Sequence, residues 1–188
     1  TRFKCDWSSD VCSSDLGLVH VKPRQEGASA FICAVMTWYA MFTPGTRAAI
    51  LSFKREHTKA MAQRCVGYYA SLPEWARPER RAAVKNSLIF DAIDSQLLLA
   101  SAQDDEPLRG DTVQMLFADE ISSWGKGAAE TAWTASRNAV PDEGGFIFAA
   151  STPKGYGDAL HKLWEEADEP GSRWHKVFIP WTEIEEYR

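Results

Sequence analysis

Met115-Leu116-Phe117-Ala118-Asp119-Glu120 decides how this chain is read: four apolar residues run straight into two adjacent carboxylates, followed by Ile121 and two serines. A short continuous apolar run suits a strand buried on both faces of a parallel sheet. Ionised carboxylates are rarely buried unpaired, so the pair belongs at the strand's carboxyl end, where open α/β sheets bind their ligands. There Asp119 is placed to hold a hydrated Mg²⁺ and Glu120 to orient or deprotonate a water. The plainer alternative is a buried strand running out into a solvated acidic turn. The hexapeptide alone supports both.

Working outward, the flanking sequence repeats a strand, loop, helix rhythm. Gly17–Val21 is short, β-branched and apolar, and predicts a strand; Lys22–Ser29 follows as a loop. Ala30–Phe42 is nearly all apolar, as a helix buried against a sheet would be. After the turn Thr43-Pro44-Gly45-Thr46 come a second buried strand at Ala48–Phe53 and a helix with an exposed polar face at Glu56–Tyr69. Leu72–Arg81 carries two prolines and reads as a surface excursion. Asn86–Phe90 and Gln96–Ala100 are expected to pair around Asp91–Ser95, and Asp104-Asp105-Glu106-Pro107 to form an acidic loop. Gly125 and Gly127 flank a segment expected to be flexible, before a helix at Ala128–Asn138. Gly145–Ala150 predicts another buried strand, ending in Ser151-Thr152-Pro153-Lys154-Gly155. A helix near Asp158–Ala167 and a strand near Trp174–Ile179 complete the pattern. Repeated units of this kind imply an α/β fold, a mostly parallel sheet with helices on both faces.

The 188 residues are enough for one sizeable α/β core, and 45% hydrophobic with 25% charged residues is an ordinary globular composition. No apolar run approaches the roughly 20 residues that span a bilayer, and no secretory signal pattern occurs, so no membrane association is expected. A net charge of −5 argues against charge-driven nucleic-acid binding over the whole surface but leaves room for a local basic face. The opening segment stands apart: Ser8-Ser9-Asp10 and Ser13-Ser14-Asp15 nearly repeat, with no apolar period. Asp6–Leu16 resembles the translation of a sequencing-adapter oligonucleotide joined to a truncated frame, and residues 1–16 are set apart as a non-native leader. Outside it, Cys33 and Cys65 are too few and too far apart in sequence for a zinc site or disulfide framework, which fits a reducing intracellular setting.

Two loops are candidates to join the acidic strand end. Lys22-Pro23-Arg24-Gln25-Glu26-Gly27-Ala28-Ser29 lies between a strand and a helix, the setting of the phosphate loop G-x-x-x-x-G-K-[ST]. Gly27 and Ser29 hold the last glycine and hydroxyl positions; Lys22 replaces the first glycine and Ala28 the lysine. The missing positive charge is available from Arg24 or Lys22, and a helix beginning after Ala28 directs the positive end of its dipole at the same anion. The alternative is a polar turn with Ser29 as helix N-cap. The other loop follows the strand Gly145–Ala150, so Thr152 would share a sheet edge with Asp119 and Glu120 and reach a γ-phosphate or attacking water. Its alternative is a proline turn with a hydroxyl cap. The order of phosphate-type loop, Asp-Glu strand and Ser-Thr-Pro strand is that of a P-loop motor.

With these residues assembled, the sequence resembles the ATPase domain of the large terminase subunit of tailed bacteriophages, a motor that packages DNA, over roughly Gly17 to the end. The resemblance implies a P-loop NTPase-type three-layer sandwich binding ATP and Mg²⁺. Arg24, Gln25, Gly27 and Ser29 match the family's deviant R-Q-x-G-x-[ST] loop; with Lys22, Glu26, Ala28 and Thr152 they form the implied nucleotide-binding set. Ser29 and Asp119 are the implied metal ligands, Glu120 the catalytic glutamate, Arg24 the arginine on the phosphates, and Arg109 a finger acting on a neighbouring subunit. Ser151, Thr152 and Pro153 match the coupling motif. The resemblance further implies double-stranded DNA, a portal protein and a small terminase subunit as partners. It also implies a homo-oligomeric ring when assembled, and location in the cytoplasm of the infected bacterial host. Residues 17–180 would be the ATPase domain, shortened on its amino side, and 181–188 the start of a linker towards a nuclease domain, so nuclease activity is not expected here. Lys54, Arg55, His57, Lys59 and Arg64, and likewise Arg77, Arg80, Arg81 and Lys85, are basic clusters that would meet DNA phosphates or lie on solvated helix faces. A helicase, whose motifs share this order, and an inert fragment serving as an interaction module are the alternative readings.

Overall fold

Strands β1 (Gly17–Val21), β2 (Arg47–Ser52), β3 (Ser87–Phe90), β4 (Ser95–Ser101), β5 (Met115–Asp119), β6 (Phe146–Ser151) and β7 (Trp174–Phe178) form one sheet in the order β3-β4-β2-β5-β6-β1-β7. They are joined by helices α1 (Ala28–Phe42), α2 (Arg55–Ser71), α3 (Ala128–Asn138) and α4 (Ala159–Glu166). This computed structural model describes residues 16–23, 27–81, 86–104, 107–108, 110–124 and 128–183. Neighbouring strands are parallel throughout except β3, which runs antiparallel to β4 at one edge. The expected hairpin is therefore present, turning through Asp91–Ile93 and a left-handed Asp94 (φ 49°). The segment between Gly125 and Gly127 lies outside the described residues.

The alternation of side chains along each strand sorts the core into two layers. Leu116 and Ala118 of β5, Ala49 and Leu51 of β2, and Ile147 and Ala149 of β6 pack with Ala132 and Ala139, in and just beyond α3, and with Leu160 and Leu163 of α4. Phe117, Ala48 and Ile50 face the other way, onto Ile32, Cys33 and Met36 of α1 and Met61 and Cys65 of α2. Each large side chain fully buried in this way contributes about 1.5–3 kcal/mol. The expected helix packed against the sheet is present as α1, and Phe31, Trp38 and Phe42 on its outer side are exposed. These three share one stripe of the helix, and its opposite side supplies the buried residues Ile32, Cys33, Met36 and Ala40. Cys33 and Cys65, distant in sequence, meet where α1 crosses α2, as buried free thiols. Leu16, placed with the leader on sequence grounds, packs into the core, its N–H donating to the Arg173 carbonyl at 2.9 Å. No helix among the described residues is long and apolar enough to cross a membrane.

The strand order opens a crevice. β1 and β6 are neighbours, but the chain leaves β1 into α1 on one face and leaves β6 towards α4 on the other. Loops that depart to opposite faces cannot close over the strand ends between them, which is the switch-point arrangement where doubly wound sheets bind ligands.

Candidate functional site

At this crevice the chain leaves β1 through Lys22, whose N–H still donates to the Ser151 carbonyl of β6 at 3.1 Å. The loop then turns into α1 at Gly27, in the left-handed region at φ 82°, which glycine adopts without steric penalty. α1 begins at Ala28, two residues earlier than the apolar pattern predicted. Ser29 consequently lies inside the first turn and is not the N-cap; that position belongs to Gly27, and no side chain caps it. The amides of the first turn have no partner within the helix, and Ala28, Ser29 and Ala30 line the cleft. The Ser29 hydroxyl is directed across to β5, where Oγ donates to Asp119 Oδ1 at 2.9 Å.

Asp119 ends β5 on the face of Phe117, towards α1, and is 7% exposed. A strand continued by one residue would send Glu120 to the opposite face. Instead Glu120 adopts the left-handed conformation (φ 56°, ψ 42°), rare for a residue with a side chain and often found at functional sites. Its N–H remains on the ladder, donating to the Ala150 carbonyl at 2.8 Å, while its carboxylate swings to the same side as that of Asp119. Lys22 lies between them: Nζ is 2.9 Å from Asp119 Oδ1 and 3.4 Å from Glu120 Oε1, and donates to Ser29 Oγ at 2.6 Å. The buried Asp119 carboxylate is thus paired and hydrogen-bonded, so the solvated-turn alternative does not describe it.

Two further contacts set the carboxylates. Trp124 Nε1 donates to the Asp119 carbonyl at 2.9 Å, and its ring packs edge-on against Trp133 of α3. Behind Glu120 lies fully buried Ser151, whose Oγ accepts from the Ser122 N–H at 3.2 Å and is 3.5 Å from Glu120 Oε2. Of the Ser-Thr-Pro residues, then, Ser151 touches Glu120, whereas Thr152 and Pro153 line the cleft wall. The cleft encloses about 740 Å³, within the range of ligand-binding cavities.

Lys22, Gly27, Ala28, Ser29, Asp119, Glu120 and Thr152, proposed from sequence, all line this one cleft. Arg24, Gln25, Glu26 and Arg109 lie outside the described residues. Sequence reasoning missed His57 and Arg64, which reach the cleft from α2, and Lys154. Positions 57 and 64 lie seven apart on one helix face together with Met61, a signal hidden within the basic cluster. Several of the other basic residues have local partners: Lys54 lies over the Phe53 ring, Arg55 pairs with Asp104, Arg81 with Asp91, and Arg77 and Arg80 lie over the Tyr69 ring. Lys85 is outside the described residues.

The donor set suits a small divalent cation. Among the described residues no group of three or more His, Cys, Asp or Glu side chains could hold a metal. One carboxylate and one hydroxyl do converge, and Mg²⁺ is commonly bound by one or two carboxylates together with substrate phosphates. The Lys22 ammonium already rests on both oxygens, so the position attracts a cation. One turn of strand away, His20 is buried in β1; burial, reinforced by the Lys22 charge, holds its imidazole below the ordinary histidine value.

Residues 19–183 match the model of a protein family described as terminase large subunit, T4likevirus-type, N-terminal. No curated protein matches the chain. Among solved structures, the HK97 bacteriophage large terminase superposes with a TM-score of 0.68 at 15% identity, over 89% of this chain and 36% of that one. The ATPase domain of the Thermus phage P74-26 large terminase gives 0.65 at 18% identity, over 94% and 82%. The large terminase of thermophilic bacteriophage D6E in complex with ATP-gamma-S gives 0.65 at 13%, over 96% and 43%. The chain therefore spans about a third of the HK97 protein's length. At these identities the superpositions establish the fold, an α/β sandwich of the P-loop type.

Proposed function

The chain belongs to the large terminase subunit family, in its N-terminal part, and from that premise we propose that the cleft binds ATP with Mg²⁺ and hydrolyses it to drive DNA packaging. One observation carries the reading: Lys22, Ser29, Asp119 and Glu120 converge at a switch-point crevice, at the start of a helix. Solved relatives that hold ADP or ATP-gamma-S support nucleotide as the ligand class. Family membership also decides between the terminase and helicase readings of the sequence.

Phosphoryl transfer asks a protein mainly for positioning and charge stabilisation. The first-turn amides of α1 face the phosphates with the positive end of the helix dipole. Lys22 and Arg24 neutralise them from the loop, and Arg64 and Lys154 do so from the opposite wall. Ser29 and Asp119 would hold Mg²⁺, which when bound would offset charge on the phosphates. Glu120 orients the attacking water, kept in place by its left-handed backbone and by Ser151. Thr152, on the adjoining loop, senses the γ-phosphate. Arg109 acts in trans on a neighbouring subunit, so an isolated subunit turns over slowly; a finger of this kind is worth about 10³ to 10⁵ in rate.

At the level of the whole motor we place the chain in a ring around double-stranded DNA, working with a portal protein and a small terminase subunit in the infected cell's cytoplasm. Calorimetric titration with ATP-gamma-S and Mg²⁺ tests the core of the reading. Micromolar binding that Asp119→Ala abolishes is the expected result, and no binding would favour the inert-fragment alternative.

A further inference from the structure

We infer that Phe53 is a positioning residue whose ring holds the Lys154 ammonium at the rim of the cleft, ready for the terminal phosphate of the nucleotide. The contact favours a triphosphate over a diphosphate, and it rests on the reading of the cleft as a nucleotide site. Lys154 Nζ lies 5.7 Å from the centroid of the Phe53 ring, within the range of a cation–π contact. Phe53 follows the last residue of β2, and Lys154 lies three residues beyond the last residue of β6. β5 stands between those two strands, so the contact bridges the strand end that carries Asp119 and Glu120. All four residues line the cleft.

Each partner is set by its surroundings. Phe53 is half-buried and packs against the core layer beneath α3 and α4, which anchors the ring while leaving part of it to the cleft. The Lys154 N–H donates to Asp158 Oδ2 at 3.3 Å, and Asp158 is the N-cap of α4, so the backbone from which the lysine reaches back is tied to that helix. The long, flexible stem of the lysine is what remains free to move. Its ammonium pairs with no carboxylate among the described residues. The same ring also carries the Lys54 ammonium, 5.0 Å from the centroid. Two like charges on one ring repel, so the hold on Lys154 yields readily to an anion. Lys22, by contrast, is already committed to two carboxylates. The charge of a further phosphate therefore falls to the unpaired cations of the opposite wall, and Lys154 shares a loop with Thr152, the residue assigned to the γ-phosphate. A lysine already held beside the cleft loses less side-chain freedom when it closes on phosphate, which is how the ring would raise affinity.

A double-mutant cycle on the full chain, read by calorimetry with Mg²⁺-loaded ATP-gamma-S and ADP, tests this. Phe53→Leu removes the ring but keeps an apolar side chain. It should weaken ATP-gamma-S by about three- to fivefold, the worth of an exposed cation–π contact, and leave ADP affinity unchanged. Phe53→Tyr, which retains the aromatic face, should keep the parental affinity for both. Lys154→Met should weaken ATP-gamma-S by about tenfold, and in that background Phe53→Leu should have no further effect. An equal loss of ADP and ATP-gamma-S affinity in Phe53→Leu overturns the inference, as does a Phe53→Leu effect that persists undiminished beside Lys154→Met. Lys154 is exposed, so Lys154→Met decides the matter even where Phe53→Leu disturbs the fold. A preference for ATP-gamma-S over ADP equal to the parent's in Lys154→Met also overturns it. If the wild-type chain binds neither nucleotide, the nucleotide reading itself has failed, and this inference with it.

Discussion

Ser29 Oγ donates to Asp119 Oδ1 across 2.9 Å, joining the first turn of α1 to the end of β5 over a separation of 90 residues. The same two oxygens receive the Lys22 ammonium, so a cation sits where a hydroxyl and a carboxylate of a P-loop site would share Mg²⁺. In the proposed ATP site Lys22 would be both a phosphate-side charge and the group resting at the metal position.

Removing Lys22 should leave Asp119 buried with the Ser29 hydroxyl as its remaining side-chain partner among the described residues. Breaking a buried pair costs about 3–5 kcal/mol, and both side chains are largely shielded from solvent. Lys22→Ala is expected to lose about 3 kcal/mol, or roughly 6 to 12 °C of melting temperature for a chain of this size. Millimolar Mg²⁺ should recover part of that loss in the variant and do little for the wild type. Scanning calorimetry with and without MgCl₂ checks this; a variant as stable as the parent would contradict the pairing.

Glu120 is assigned the attacking water. Glu120→Gln preserves shape and backbone but cannot accept a proton, so turnover should fall by about 10² to 10⁴ while ATP-gamma-S affinity stays within a few-fold. Phosphate-release kinetics beside equilibrium titration separate the two effects. Near-parental hydrolysis would remove Glu120 from its role.

The Trp124 indole fixes the Asp119 carbonyl from the side of the sheet covered by α3 and α4. Trp124→Phe keeps an aromatic ring against Trp133 yet deletes the donor, at an expected cost of about 1–2 kcal/mol in denaturant unfolding. If the strand end also shifts, Mg²⁺-dependent nucleotide binding weakens in parallel.

Burial depresses the His20 pKa in the folded chain, and the Lys22 charge adds to the effect. Below the ordinary value of about 6.5 the unfolded state takes up a proton that the folded state refuses. Stability contributed by neutral His20 is therefore complete above that pH and declines as the pH falls through it towards the folded pKa. The melting temperature should drop between pH 7 and pH 5.5, and His20→Gln should flatten that slope. An identical slope in the variant would assign the acid sensitivity elsewhere.

The alternation of strands and helices was legible from local pattern, with α3 found at its observed bounds and most other elements within two residues. The largest consequence came from a small displacement: α1 starts at Ala28, which turns Ser29 from a cap into a side chain aimed at β5. A near-uniform apolar run carries no mark of its first turn, and the left-handed Gly27 that sets the start reads in sequence as any loop glycine. Similarly, Glu120 beside Asp119 implied nothing about direction; its positive φ, not its position in the run, brings both carboxylates to one side.

By itself the sequence determined the class of fold and the three loops that carry charge and hydroxyls, because apolar runs, turns and polar strand ends are local properties of the chain. Tertiary structure decided that those loops meet. Strand order places β6 between β5 and β1, and no local pattern encodes which strands become neighbours. It also brought in Arg64 and His57 from a helix that looked like solvated surface, and seated Lys22 between two carboxylates. The physical reason is range: hydrophobic periodicity acts over a few residues, whereas a buried charge is tolerable only where a distant part of the chain supplies its partner.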